Sequence, residues 1–394
     1  MIPYASFTYF GLLLYSVVPA VLFSVFVRRI WLWILIATLL MLTVQYWGTF
    51  NLWPPTLGQE IWLVLAYGLF QLVVASVFLR IRARTRSRWV FYAALALGLL
   101  PLVLAKAQPY LAPGSLWGFL GISYVTFRAL DVIFGIQDRT ITSVPPGQLL
   151  AFLFFFPTIS SGPIDRFRRF VGDWEHHRTR DELLDDLDAG LHRIMTGFLY
   201  KFILAALIKQ YWLDPAAASD GLRSTISYMY AYSFYLFFDF AGYSLFAIGV
   251  SYLFGIHSPE NFNRPFFATN IQDFWNRWHI SLSWWLRDRV YRRFGLAALR
   301  GHWFKSDFTA SYLGFFLSFG LMGLWHGTQP FYLLYGLYHA TLMSAYEAFN
   351  RWNGEHHLWG DGPLWRAAAI LLTFHVVCFG FLLFSGRLGP AGYG

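Results

Sequence analysis

Apolar residues run through this chain in long blocks of similar length, separated by short polar breaks. The blocks fall near 7–27, 31–52, 60–80, 89–105, 116–136, 190–213, 226–254, 308–325, 329–348 and 364–385. A helix crossing the hydrocarbon of a bilayer needs about 20 apolar residues, so each block predicts a spanning helix. A shorter run at 148–160 predicts a segment that dips in without crossing. The pattern gives an all-α, polytopic membrane protein of about eleven spanning helices.

Two stretches depart from this pattern. Residues 165–193 mix Arg, Asp, Glu and His and predict an amphipathic cytoplasmic helix or loop. Residues 257–307 hold NFNRPF, FWNRWHISLSWWLRDRVYRRF and GHWFK, too polar to span and too aromatic for a plain linker. They predict interfacial or re-entrant helices, where irregular backbone persists only if it is buried in protein or faces water. No repeat of fixed period and no low-complexity segment divides the chain, so residues 1–394 read as one membrane domain.

Composition agrees with the blocks. Hydrophobic residues make up 57% of the 394 and charged residues 13%, against about 25% charged in soluble domains. Aromatic residues reach 21%, more than a soluble core uses, and many sit where an interfacial belt falls. The net charge of +9 invites a nucleic-acid reading, but the cations cluster between apolar blocks: Arg28 and Arg29; Arg80, Arg82, Arg84, Arg86 and Arg88; Arg166, Arg168 and Arg169. Such loops stay on the cytoplasmic side. With the uncharged turn NLWPPTLG (51–58) outside, the N-terminus is expected outside, and no nucleic-acid partner is expected. The first block passes signal-peptide length without a small-residue cleavage site, so no cleaved leader is expected. The single cysteine, Cys378, lies in an apolar run and reads as a small hydrophobe.

Some polar residues sit where hydrocarbon should be. His326 closes the run LMGLWHG (321–327), with Gly320 and Gly323 on the preceding turns. An ionisable group at that depth is by default a functional candidate. A desolvated imidazole stays neutral and can accept a proton, as a general base for acyl transfer requires. The alternative is a packed core histidine bonded to a carbonyl. His279, in WNRWHISLS, has Asn276 and Ser281 near it to orient a carbonyl, or else the stretch is an interfacial anchor. Asp239, in FYLFFDFAGYS, either orients a partner or forms an ion pair between helices. Arg128 and Asp131, three apart, read as a pair on one helical face.

The basic run 287–300, with Arg287, Arg289, Val290, Tyr291, Arg293, Phe294 and Leu296, suits either an acidic protein partner or anionic lipid. GxxxxGK[ST], HExxH and GxSxG motifs are absent, and the tandem pairs His176-His177 and His356-His357 do not share a helix face. No nucleotide hydrolysis, metal site or serine nucleophile is therefore expected. A transporter or channel for the acyl donor remains a competing class, although no inverted repeats are visible.

The blocks FFFPTISSGPIDRFRRF (154–170), FFDFAGYS (237–244), NFNRPF (261–266), FWNRWHISLSWWLRD (274–288) and LMGLWHG (321–327) resemble, in that order, the membrane-bound O-acyltransferase family. LGISYVTFR (120–128) and FLLFSG (381–386) extend the resemblance over most of the chain. The SGPIDRF block favours the teichoic-acid D-alanylating branch over the alginate-acetylating one, which is the alternative reading. The resemblance implies spanning helices around a central funnel, with His326 catalytic and His279 supporting it, and Trp325 beside the base. It also implies no tightly bound cofactor. The donor would be D-alanine, carried as a thioester on the phosphopantetheine arm of an acidic cytoplasmic carrier protein. Other membrane proteins of the same pathway are the remaining expected partners, at a bacterial cell membrane.

Overall fold

The computed structural model describes residues 1–26, 30–46, 59–112, 117–360 and 362–389. Arg28, Arg29 and the turn at 51–58, which orient the chain in the sequence, lie outside the described residues. The helices in chain order begin with α1 (Phe7–Phe26), α2 (Trp31–Tyr46), α3 (Gln59–Arg84), α4 (Arg88–Leu111), α5 (Ile122–Gln137) and α6 (Pro146–Phe154). Next come α7 (Phe167–Glu175), α8 (Arg180–Phe198), α9 (Ala206–Ile208), α10 (Asp214–Ala217) and α11 (Leu222–Leu253). The last are α12 (Ile271–Trp275), α13 (Ile280–Leu286), α14 (Arg292–Arg300), α15 (Asp307–His326), α16 (Pro330–His356) and α17 (Pro363–Phe384). Among the described residues there is no strand, only one isolated bridge between Phe262 and Trp278.

Seven helical stretches among the described residues are long and apolar enough to span: Phe7–Phe26, Glu60–Arg84, Arg88–Leu111, Arg180–Ala217, Leu222–Leu253, Phe308–His326 and Pro363–Phe384. The other apolar blocks fall short of that measure either in length or in apolar content. The block at 116–136 gives α5, a helix of 16 residues, below the roughly 20 that a crossing needs. The block at 329–348 lies in α16, whose last turns, EAFNRWNGEH, are polar.

The described chain packs as two compact units. The first comprises Met1–Gly197 with Tyr243–Pro259. Its centre is α5, buried without interruption from Val125 to Ile136, with Arg128 and Asp131 the charged residues in that stretch. Arg128 and Asp131 do not pair with each other. The Arg128 guanidinium donates to the carbonyls of Phe152, Leu153 and Thr158, satisfying backbone freed where α6 ends. Asp131 accepts from Arg166 at 2.7 Å and from the Phe167 amide, fixing the start of α7. After α11 stops, His257 sits between two carboxylates, with Nε2 2.7 Å from Asp186 and Nδ1 3.4 Å from Asp173. Arg178 and Arg169 flank those carboxylates.

The second unit comprises Phe198–Gly242 with Glu260–Gly394. The short connection between α15 and α16 makes them an antiparallel hairpin. Two glycines set their spacing. A Cβ on Gly336 would lie 2.2 Å from the Phe319 carbonyl oxygen, and one on Gly323 would lie 2.4 Å from that of Tyr332. Backbones this close exclude any side chain between them. Gly320, by contrast, faces open space.

Two outcomes follow. Gly336→Ala should lower the thermal midpoint of the purified protein, since overpacking of this kind costs about 1–3 kcal/mol, whereas Gly320→Ala should leave it unchanged. His257, held by Asp173 and then Asp186, is raised to about 9, above the 6.5 of a free imidazole. Its contribution is therefore complete below about pH 6.5 and lost as pH climbs through about 9. Hydrogen exchange at residues 254–259 should quicken between pH 8 and pH 10 beyond the intrinsic rate, and His257→Gln should remove that extra dependence.

Candidate active site

The second unit brings together residues far apart in sequence around one small cavity. His326 is the last residue of α15, where the helix ends at an extended Gly327. His279 precedes α13, in the loop that follows α12 and outside the spanning helices. Both imidazoles line a cavity of about 50 Å³, with Phe240, Trp275, Trp278, Tyr335 and Phe384 among its walls. That volume admits no more than a few waters.

The walls fix both rings. Phe240 meets His279 edge-on at 4.8 Å, and Phe384 meets His326 edge-on at 4.9 Å. Trp325 packs on His326 at 4.5 Å and stands 6.2 Å from His279, so its indole touches the surroundings of both. His279 is 3% exposed. Burial first, and the neighbouring His326 second, push it down to about 3, so it is neutral at any physiological pH. Its backbone is left-handed, with φ of 43°. That conformation is disfavoured for a residue with a side chain and recurs at functional sites.

Neighbouring polar groups hold the strained turn in place. Asn261, fully buried, accepts from the Ser281 hydroxyl at 2.6 Å, and its carbonyl accepts from the Ile280 amide at 3.0 Å. The Asn263 amide donates to the Arg277 carbonyl at 2.9 Å. Thus NFNRPF works as a clamp on the His279 loop. Ser281 is engaged in that clamp and does not line the histidine cavity. Local sequence gives Asn261 no role, because the groups it bonds lie about twenty residues further along the chain.

A second cavity, of about 310 Å³, adjoins the first and shares Trp275 and Met322 with it. Asn276, Ser283, Arg287, Tyr291 and Ser318 line it. Two buried polar atoms on its wall, Trp275 Nε1 and Ser318 Oγ, have no hydrogen-bond partner among the described residues. Asn276 therefore belongs to the larger cavity and not to the histidine pair.

Asp239 lies off both cavities, in an ion pair with Lys201. Of its two readings, the geometry is that of an ion pair between helical segments.

In the basic segment, Tyr291 and Phe294 turn inward. The Tyr291 hydroxyl is 2.7 Å from Ser311, its ring stacks on Phe315 at 4.9 Å, and Phe294 packs on Trp303. They cannot form an exposed strip because Gly314 on α15 receives both rings. Val290 is half-buried. The exposed apolar residues of the segment are Leu296 and Leu299, at 52% and 46%, beside the exposed Arg292 and Arg300. Arg287 lies over Trp284 and, with Arg292, pairs with Asp288. Arg289 and Arg293 are half-buried in the same stretch.

Comparison with known proteins agrees with the geometry. The profile of the membrane-bound O-acyltransferase family matches residues 133–383. A teichoic acid D-alanyltransferase of Bacillus subtilis (strain 168) is 43% identical, with 98% of each chain covered. One from Streptococcus thermophilus is 37% identical, covering 98% of this chain and 95% of its own. A probable alginate O-acetylase of Pseudomonas aeruginosa is 34% identical over 68% of this chain and 49% of its own. A pair of histidines sharing one small cavity in an almost wholly helical, multi-pass chain, matched by that profile over most of its length, makes this protein a member of the membrane-bound O-acyltransferase family and an acyltransferase.

Proposed function

We propose that this protein transfers D-alanine from a thioester on a cytoplasmic carrier protein to a hydroxyl on the far side of the membrane, in the D-alanylation of teichoic acid. The observation that carries the chemistry is the single cavity shared by His279 and His326, adjoined by a larger one. The choice of substrate rests on end-to-end similarity to two teichoic acid D-alanyltransferases. The alginate O-acetylase match covers only half of that protein.

In this reading His326 is the general base. Its imidazole takes the acceptor hydroxyl's proton as that oxygen attacks the thioester carbonyl. The C–O bond forms, the C–S bond breaks, and the sulfur departs with a proton as the carrier's thiol. His279, neutral and locked by the Asn261 clamp, positions the acyl group. The larger cavity suits the phosphopantetheine arm, whose amides can bond the unpartnered Trp275 Nε1 and Ser318 Oγ. That arm arrives with the carrier, and the protein's own residues hold and orient it. The exposed Leu296 and Leu299, rimmed by Arg292 and Arg300, form a docking strip for an acidic carrier.

His326→Ala should lower D-alanyl ester on teichoic acid by about 10²-fold or more at unchanged protein level. His326→Gln should fare no better, because an amide cannot accept the proton. Full retention in the glutamine variant would support a transporter instead. Leu296→Asp combined with Leu299→Asp should abolish carrier pull-down while the protein stays in the membrane with an unaltered thermal midpoint. Retained pull-down overturns the docking strip.

A further inference from the structure

A further cavity of the second unit is lined by neither histidine. It measures about 700 Å³ and lies between α16 and α17, at the end of the pair where the turn 357–360 lies. Its lining changes character along its length. Asn350 and Arg366 line the end near the turn, Leu342, Leu372 and Val376 the other, and Arg277 enters the lining from beyond α12. From Arg366 to Val376 the groove follows α17 for about 15 Å, at 1.5 Å per residue.

Three observations set its level and its ligand. First, the polar end sits in an aromatic girdle: Trp359 stacks 4.8 Å from Trp365, and Phe349 stands 6.1 Å from Trp359. Asn353 holds that turn, bonding the Trp359 carbonyl at 2.8 Å and its amide at 2.7 Å. Tryptophan gathered at a helix end marks the boundary between headgroups and hydrocarbon. Secondly, cationic capacity is left over. Arg277 spends only its Nε on Asp273, at 2.7 Å, and its terminal nitrogens have no partner among the described residues. Arg366 is exposed, and its side chain makes no bond among the described residues. The carboxylate of Asp273 is committed to Arg277 and to the Thr269 amide. Among the described lining residues the balance is therefore one net positive charge. Thirdly, the apolar end opens outward, with Leu372 59% exposed.

We infer that this groove is a binding site for an anionic phospholipid, its phosphate held by Arg277 and Arg366 and one acyl chain lying along Leu372 and Val376. Basic pockets between helices at the interface recognise anionic headgroups in this way. A soluble phosphate would leave the apolar half of the groove unused. The site is independent of the acyl-transfer reading.

The test is native mass spectrometry of the full chain in detergent, titrated with dioleoyl-phosphatidylglycerol or with dioleoyl-phosphatidylcholine. The anionic lipid should bind more tightly. Arg366→Gln should weaken it about fivefold, the share of one interfacial cation, and leave the zwitterionic lipid unchanged. Arg277→Gln added to it should deepen the loss. The Arg366 side chain makes no bond among the described residues, so its variant is expected to fold even if the double variant does not. Arg86→Gln, on an exposed loop elsewhere, controls for lost charge. Equal binding of the two lipids by the unaltered chain overturns the inference. So does an equal loss in Arg86→Gln, or unaltered phosphatidylglycerol binding by Arg366→Gln. Competition by glycerol 3-phosphate at concentrations matching the lipid would assign the groove to free phosphate instead.

Discussion

A helix that stops among apolar surroundings leaves carbonyls and amides that no solvent can reach, and each must find a partner inside the protein. Much of this chain's polar inventory answers that constraint. Arg128 gathers the carbonyls of Phe152, Leu153 and Thr158 where α6 ends. Asn261 takes up the Ser281 hydroxyl and the Ile280 amide where α13 begins. At a more exposed helix end, Arg387 donates to the carbonyls of Ala216, Ala217 and Ser219 at the close of α10. These side chains are the condition for breaking helices at all. Broken helices are in turn what allow a cavity to form where an unbroken bundle would be solid.

The histidine cavity uses two such breaks. Ending α15 at His326 frees that imidazole from the middle of a helix face, and the left-handed turn at His279 aims a second ring into the same space. A left-handed backbone at a residue with a side chain costs of order 1 kcal/mol or more and persists only where the surroundings over-determine it. Here Asn261, the bridge between Phe262 and Trp278, and the stacking of Phe274 on Trp278 all act on one short loop. The close approach of Gly323 and Gly336 completes the arrangement, because it sets where the end of α15 lies against α16.

The sequence carried the helical membrane class plainly, since apolar length is a one-dimensional property. It also carried both histidines, which stand out against a greasy background. It was less able to say what each polar residue bonds to. Arg128 and Asp131 look like a pair at helical spacing, yet each serves a different loop. Ser281 has the chemistry to orient a substrate but is engaged by an asparagine twenty residues earlier. Asp239 meets Lys201, a residue that the sequence places in another apolar block. Tyr291 and Phe294 fall among arginines and read as exposed, but the missing side chain at Gly314 draws them inward. All of these depend on contacts between distant segments, which neither periodicity nor local composition records.

Two imidazoles in one apolar cavity also constrain the proposed reaction. An imidazolium there is poorly solvated, and its neighbours are aromatic rings with His279 held neutral beside it. A proton taken from the acceptor hydroxyl need not remain on the ring. The departing sulfur is the base that forms as the C–S bond breaks, and delivering the proton to it restores a neutral cavity. An apolar wall thus favours coupling proton removal to thiol departure over a long-lived charged intermediate. On that reading the aromatic lining is part of the catalytic arrangement, and a polar replacement at Phe240 or Phe384 acts on the reaction by giving charge somewhere to stay.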